Sequence, residues 1–160
     1  MNVDVILESF NRQEVDAILI GGMNFMLRHQ PVLTFDIDFW IKDTDENLSR
    51  VAAALRDLKA EWGATEKTWG ILPSGHEWLR TQQIYCLTTR HGAVDIFRSV
   101  EGLSRYGECK ARSSIHRSAG GQPYRSLSER DMLACQLALP EGSRRLDRIV
   151  YLQKYLKEHP

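Results

Sequence analysis

The sequence predicts an α+β domain: a mixed β-sheet flanked by helices, with a helical C-terminal tail. Three observations carry this. Short apolar runs alternate with amphipathic helical stretches through the first hundred residues. Thr34-Phe35-Asp36-Ile37-Asp38-Phe39-Trp40-Ile41 alternates apolar and charged side chains with the period of a strand, and helical spacing dominates beyond Ser128. A chain of 160 residues fits one domain spanning 1–160, with a core over 1–100 and a hairpin and helical tail over 101–160.

In order, Val3, Ile6, Leu7 and Phe10 stand at helical spacing and predict a first helix over 2–13, covering the sheet. The apolar run Val15 to Ile20 predicts a buried strand. Gly21-Gly22 then opens a helical stretch, Met23 to His29, which Pro31 closes. In the alternating strand, Phe35, Ile37 and Phe39 are expected to face the core, with Asp36 and Asp38 on the other side. Asp43-Thr44-Asp45-Glu46 supplies capping and early acidic residues for a third helix through Leu48, Val51, Leu55 and Leu58, ended by Trp62 and Gly63.

Residues 64–89 suggest paired strands: Lys67 to Leu72, a turn at Pro73-Ser74-Gly75-His76, and Gln83 to Thr88, with Ile84 and Cys86 or their neighbours facing inward. His91-Gly92 turns into the strand Ala93 to Phe97, giving a mixed sheet of about five strands with helices on one side. Gly102 to Gly107 reads as a short helix or turn, and Ala119-Gly120-Gly121 as the tip of a hairpin between 111–118 and 122–126. Ser128 and Asp131 resemble a capping box before Met132 to Ala138. Pro140 to Ser143 breaks that helix, and a last one runs from about Arg144 to Lys157 with Leu146, Ile149, Val150, Leu152 or Gln153, and Leu156 as its stripe.

The 21 basic and 21 acidic residues balance, so composition demands neither nucleic acid nor an anionic membrane as partner. No window has the apolar length of a membrane span, and Asp4 and Glu8 do not suit a signal peptide; a soluble, cytoplasmic protein is expected. Cys86, Cys109 and Cys135 are odd in number and widely spaced, which argues against a disulfide framework and a zinc site. His29, His76 and His91 read as surface or turn residues, and the four tryptophans as core, with Trp40 able to border a base pocket.

Asp36 and Asp38 stand one pleat apart on the same face, where two carboxylates repel unless water or a cation separates them. A shared divalent metal explains the pair economically. Upstream, Gly21-Gly22 at a strand-to-helix turn lets backbone approach a ligand closely, and the N-terminus of the helix offers unpaired N–H groups to phosphate.

These residues resemble the signature of the DNA polymerase beta-like nucleotidyltransferase superfamily: an apolar residue, Gly-Gly, a spacer of about a dozen residues, then Asp-x-Asp, with a third carboxylate on a later strand. Asp95, within Gly92-Ala93-Val94-Asp95-Ile96-Phe97, is the candidate for that third acid. The resemblance implies a nucleotidyltransferase-like fold and transfer of a nucleoside monophosphate from a nucleoside triphosphate (NTP) to a hydroxyl, with pyrophosphate leaving. It implies two Mg2+ ions held by Asp36, Asp38 and Asp95, triphosphate lying against Gly21 and Gly22, and Asp95 on the acceptor side.

Thr34 precedes the acid pair as in small members of the family, whereas Val32 stands where many carry Arg. Arg28 and Arg98 are candidate phosphate ligands, with solvated surface positions as the competing reading. In the abortive-infection toxin type, a Lys is expected where Gln136 stands, and Arg144, Arg145 and Asp147 match the following run approximately. The implied acceptor is a tRNA end or a protein, as in toxin-antitoxin members, with an antitoxin or a second copy as possible partner. The alternatives are a small molecule of the aminoglycoside kind, or a non-catalytic nucleotide-binding or protein-interaction module. Lys110, Arg112, His116, Arg117 and Arg125, interleaved with Tyr106 and Tyr124, would follow an RNA backbone if gathered on one face; ordinary surface charge is the competing reading.

Overall fold

The computed structural model describes residues 1–63 and 65–160. Helix α1 (Val3–Arg12) is capped by Asn2, whose side chain accepts from the Val5 N–H at 3.2 Å, and it buries Ile6, Leu7 and Phe10. Strand β1 (Ala17–Ile20) passes directly into α2 (Gly21–Arg28), and β2 (Asp36–Ile41) leads to α3 (Asp45–Asp57), capped by Thr44. Four strands follow: β3 (Glu61–Trp62), β4 (Gly70–Ile71), β5 (Ile84–Thr89) and β6 (Gly92–Phe97). Helix α4 (Tyr106–Arg112) precedes the hairpin of β7 (Ser114–Arg117) and β8 (Pro123–Ser126), and the tail is α5 (Glu129–Ala138) and α6 (Leu146–Glu158). No helix among the described residues is long and apolar enough to cross a membrane.

Among the described residues the strands form one eight-stranded mixed sheet in the order β4-β3-β5-β6-β2-β1-β8-β7, larger than the five expected. The additional strands are β3, whose two residues are too few to show a period, and the hairpin β7–β8, which joins the sheet where β8 pairs in parallel with β1. Helix α3 stops at Asp57 rather than at Trp62-Gly63, because Lys59 turns the backbone into the left-handed region at φ 51°. Where Lys67 to Leu72 was expected as strand, Glu66–Thr68 forms a 3-10 turn and β4 alone remains; Ala64, where that stretch begins, lies outside the described residues.

Helices cover both faces of the sheet, not one. Leu19, Ile37, Phe39, Ile41, Val94 and Ile96 pack beneath α1 and α3. Ile18, Ile20 and Trp40 face the other way, against Phe25 of α2, Cys109 of α4, Met132 of α5 and Leu152 of α6. The reason lies in β1, where Ile18, Leu19 and Ile20 are all buried: an apolar run with no polar face needs cover on both sides. Phe35, expected in the core, is 76% exposed because pairing starts one residue later, at Asp36. In β5 the inward residues are Tyr85 and Leu87, while Ile84 and Cys86 face out. His29 is also internal rather than at the surface: it closes α2 and packs among Phe25, Tyr151 and Tyr155.

Candidate active site

Strand pairing assembles the acids. The parallel register of β2 with β6 sets Asp38 beside Asp95, and the antiparallel register of β1 with β2 sets Ile20 beside Asp38, so the Gly21-Gly22 turn adjoins the same carboxylate. Asp36, Asp38 and Asp95 each offer a carboxylate oxygen, all within 4.8 Å of one another. Burial pushes the Asp38 carboxyl up to about 7, with the charges of Asp36 and Asp95 adding to the rise and a hydrogen bond from the Gly22 backbone opposing it. Burial likewise raises Asp95. Three hard oxygen donors, with Asp38 and Asp95 held back from ionising by burial and by neighbouring charge, fit a divalent cation such as magnesium, whose charge would favour their ionised forms.

Gly21 sits at φ 66°, and a Cβ there would overlap the Asp38 carboxylate, so glycine serves both the turn and the close approach. A Cβ on Gly22 would come within 2.8 Å of Thr34 Oγ1 and 3.2 Å of an Arg148 guanidinium nitrogen. The Thr34 hydroxyl donates to Asp36 Oδ1 at 2.9 Å, fixing that carboxylate. From the far side of the cluster, the Cys86 thiol donates to Asp95 Oδ2 at 3.4 Å.

Gly21, Gly22, Thr34, Asp36, Asp38 and Asp95 therefore converge. Arg28 and Arg98 are committed to other partners. Arg28 binds Glu129 at 2.6 Å and the Ser126 hydroxyl at 2.8 Å, bracing α2 against the tail. Arg98 pairs with Asp43 at 2.7 Å and donates to the carbonyls of Arg80 and Gln82. Trp40 is core: it lies on the acids' face but is buried, donating to the Arg98 carbonyl at 3.3 Å and meeting Tyr106 edge-on.

The residue that sequence reasoning missed is Arg148. It reaches the glycine turn from α6, its guanidinium 5.8 Å from the Phe25 ring centroid. Burial lowers its pKa, and the carboxylates of Asp147, Asp38 and Asp36 act in the opposite sense. It makes no ion pair within 4.0 Å among the described residues. Its signal was positional: Arg148 stands four residues before the buried Leu152, on the packed side of the helix, where an unpaired cation is costly without an anion to meet.

Two cavities meet at Arg148. One, of 610 Å³, is polar and is lined by Gly22, Thr34, Asp36, Arg145, Asp147 and Arg148 together with the 30–35 loop. The other, of 290 Å³, begins at Gly21 and Asp38 and runs between the sheet and the tail helices past Phe97, Val100, Met132, Leu139 and Leu152. The basic residues of 105–130 do not join either as a group. Lys110 pairs with Asp16 and Arg112 with Asp131, the Arg117 guanidinium donates to the Gly121 carbonyl, and Tyr106 donates to Asp16.

Comparison with solved structures identifies the fold. The crystal structure of ANT(2'')-Ia in complex with adenylyl-2''-tobramycin superposes with a TM-score of 0.60 at 14% identity, covering 96% of this chain and 87% of that one. A candidate nucleotidyltransferase from Thermotoga maritima gives 0.51 at 17% identity over 96% and 89%. The solution structure of the antibiotic-resistance factor ANT(2'')-Ia gives 0.52 at 14% over 98% and 89%. The chain thus has the nucleotidyltransferase fold that its glycines and acids pointed to. No family model matches it, and no curated protein matches it by sequence.

Proposed function

We propose that this protein transfers a nucleoside monophosphate from a nucleoside triphosphate to an acceptor hydroxyl, with magnesium held by Asp36, Asp38 and Asp95. The observation that carries the reading is the convergence of three carboxylates, from two paired strands, beside a glycine turn in a nucleotidyltransferase fold. Bound there, magnesium supplies charge stabilisation at the attacking and departing oxygens. The chain's own groups do the positioning. Thr34 orients Asp36, and the glycine turn admits phosphate against backbone at the start of α2. Arg148 offers its free guanidinium to the triphosphate, the contact that Val32 cannot make.

In the transfer, the acceptor oxygen bonds to the α-phosphorus while the bond from that phosphorus to the bridging oxygen breaks. Pyrophosphate leaves with the electron pair, and the hydroxyl proton passes to Asp95 and on to water. A small-molecule acceptor is favoured over tRNA, because two of the cations that would follow an RNA backbone, Lys110 and Arg112, are neutralised by Asp16 and Asp131.

The test is calorimetric titration of the four triphosphates with magnesium on wild type and on the Asp36→Asn/Asp38→Asn double variant. Metal-dependent binding of one or more triphosphates to wild type, lost in the variant, is the expected result. Equal binding by the folded double variant would overturn the assignment.

A further inference from the structure

The two cavities at Arg148 differ in chemistry, and displacement at phosphorus needs two approaches to the same atom. The attacking oxygen must enter opposite the leaving one. The polar cavity holds what a pyrophosphate needs, the cations Arg145 and Arg148 and the glycine backbone, with the carboxylates of Asp36 and Asp147 also in its lining. The second cavity touches Asp38, one pleat further along β2, and extends past Phe97, two residues beyond Asp95. The pair of cavities therefore flanks the acids along the strand direction. With the leaving group in the polar one, in-line geometry brings the attacker from the apolar one.

We propose, resting on the nucleotidyl-transfer reading, that the apolar cleft between the sheet and α5/α6 is the acceptor site. We infer that it selects a small uncharged molecule whose hydroxyl is carried on an apolar or aromatic body. Ile84, Phe97, Val100, Met132, Leu139 and Leu152 form most of its wall. Its 290 Å³ lies at the small end of small-molecule sites, which start near ~300 Å³. Beyond Asp38 its charged lining is Glu101 and Arg148, one of each sign, which balance. A polycation would find a single further carboxylate there, and a phosphate backbone a single cation already facing the triphosphate.

The few polar groups fit a neutral molecule with a second oxygen. Gln136 accepts the Arg145 N–H through Oε1 at 3.0 Å, which fixes its amide and leaves the NH2 as a donor at the cleft wall. The Ser99 hydroxyl, which donates to Gln83 Oε1 at 3.1 Å, adds an acceptor to the lining. The exposure of Ile84, 45% on an outward strand position, is what an apolar rim around the mouth of such a cleft requires.

The test uses the full chain with magnesium and a non-hydrolysable triphosphate, and 2-naphthol, a neutral fluorescent aromatic alcohol, as probe. Naphthol should bind, with proton contacts to the methyl groups of Met132 and Leu152 in the wild-type protein. Val100→Trp and Leu139→Trp should each weaken naphthol by about tenfold or more by filling the cleft, while triphosphate affinity stays within about twofold. Tobramycin and bulk tRNA should leave naphthol in place.

Five results would overturn the assignment. If the tryptophan variants weaken triphosphate as much as naphthol, the cleft holds the nucleoside instead. Displacement by tobramycin would make the acceptor cationic. Naphthol contacts to methyl groups elsewhere, or no naphthol binding beside intact triphosphate binding, would remove the acceptor site and leave nucleotidyl transfer standing. Failure of wild type to bind any triphosphate with magnesium would sink the transfer reading and the acceptor site together.

Discussion

The two faces of the central sheet are built from the same strands to opposite ends. Under α1 and α3, Ile37 and Phe39 of β2 are nearly or wholly buried, Phe10 stacks on Phe39 with ring centroids 4.2 Å apart, and Leu48, Val51 and Leu55 close the layer. On the other face the alternate residues of the same strand are Asp36 and Asp38, and the tail helices leave cavities over them. One face is filled and the other is held open with uncompensated charge. The first supplies the stability that the second consumes.

That division can be attacked from either side. The largest effect is expected on the open face: Asp38→Asn should cut transfer by about 10³-fold, the scale of losing a principal charge-stabilising group, with an unchanged circular dichroism spectrum. Activity retained by the variant would break the metal assignment. On the filled face, Leu55→Ala should cost about 2–5 kcal/mol in denaturant unfolding, since Leu55 is fully buried, yet leave triphosphate affinity unaltered. A parallel loss of affinity would mean that the faces are not independent.

A smaller change is expected from Arg148→Lys, which keeps the charge but loses the planar fork; triphosphate binding by calorimetry should weaken about tenfold. Unchanged affinity would return Arg148 to a packing role beside Phe25.

The last prediction concerns pH. The Asp38 carboxyl is pushed up to about 7 in the folded chain against an ordinary 3.8, so between those values the folded state keeps a proton that the unfolded state releases. Stability of the metal-free protein from this group is full below the lower value and is lost as pH rises through the upper. Melting in chelator should therefore fall between pH 5 and 8, by about 5 °C. Magnesium affinity should rise over the same window as proton competition fades. Asp38→Asn should flatten the melting profile, and an unflattened one would assign the slope to another group.

Much of this contrast was legible in the sequence, because a strand's period of two separates its faces without help from the rest of the molecule. Asp36 and Asp38 against Ile37 and Phe39 needed only alternation, and the motif order named Asp95 as the third acid. What stayed hidden depends on packing between distant segments. Two-residue strands such as Glu61–Trp62 have no period to read. The partners of Arg28 and Arg98, Glu129 and Asp43, lie far along the chain, so both arginines looked free when they are engaged. Arg148 shows the converse: among Arg144, Arg145 and Asp147 it reads as surface, and only the docking of α6 on the sheet turns it to the glycine turn. Cover on both faces was implied by the unbroken apolar run in β1.

The parallel pairing of β2 with β6 has a consequence for the chain during its synthesis. A slip of one residue would put Val94 or Ile96 in place of Asp95 and send the carboxylate into the apolar layer. The three acids therefore exist as a cluster only after β6 has emerged and locked into one register, and Arg148 joins only when α6, the last helix, docks. A chain that ends before β6 lacks the acid cluster, and one that ends before α6 lacks Arg148 at the glycine turn.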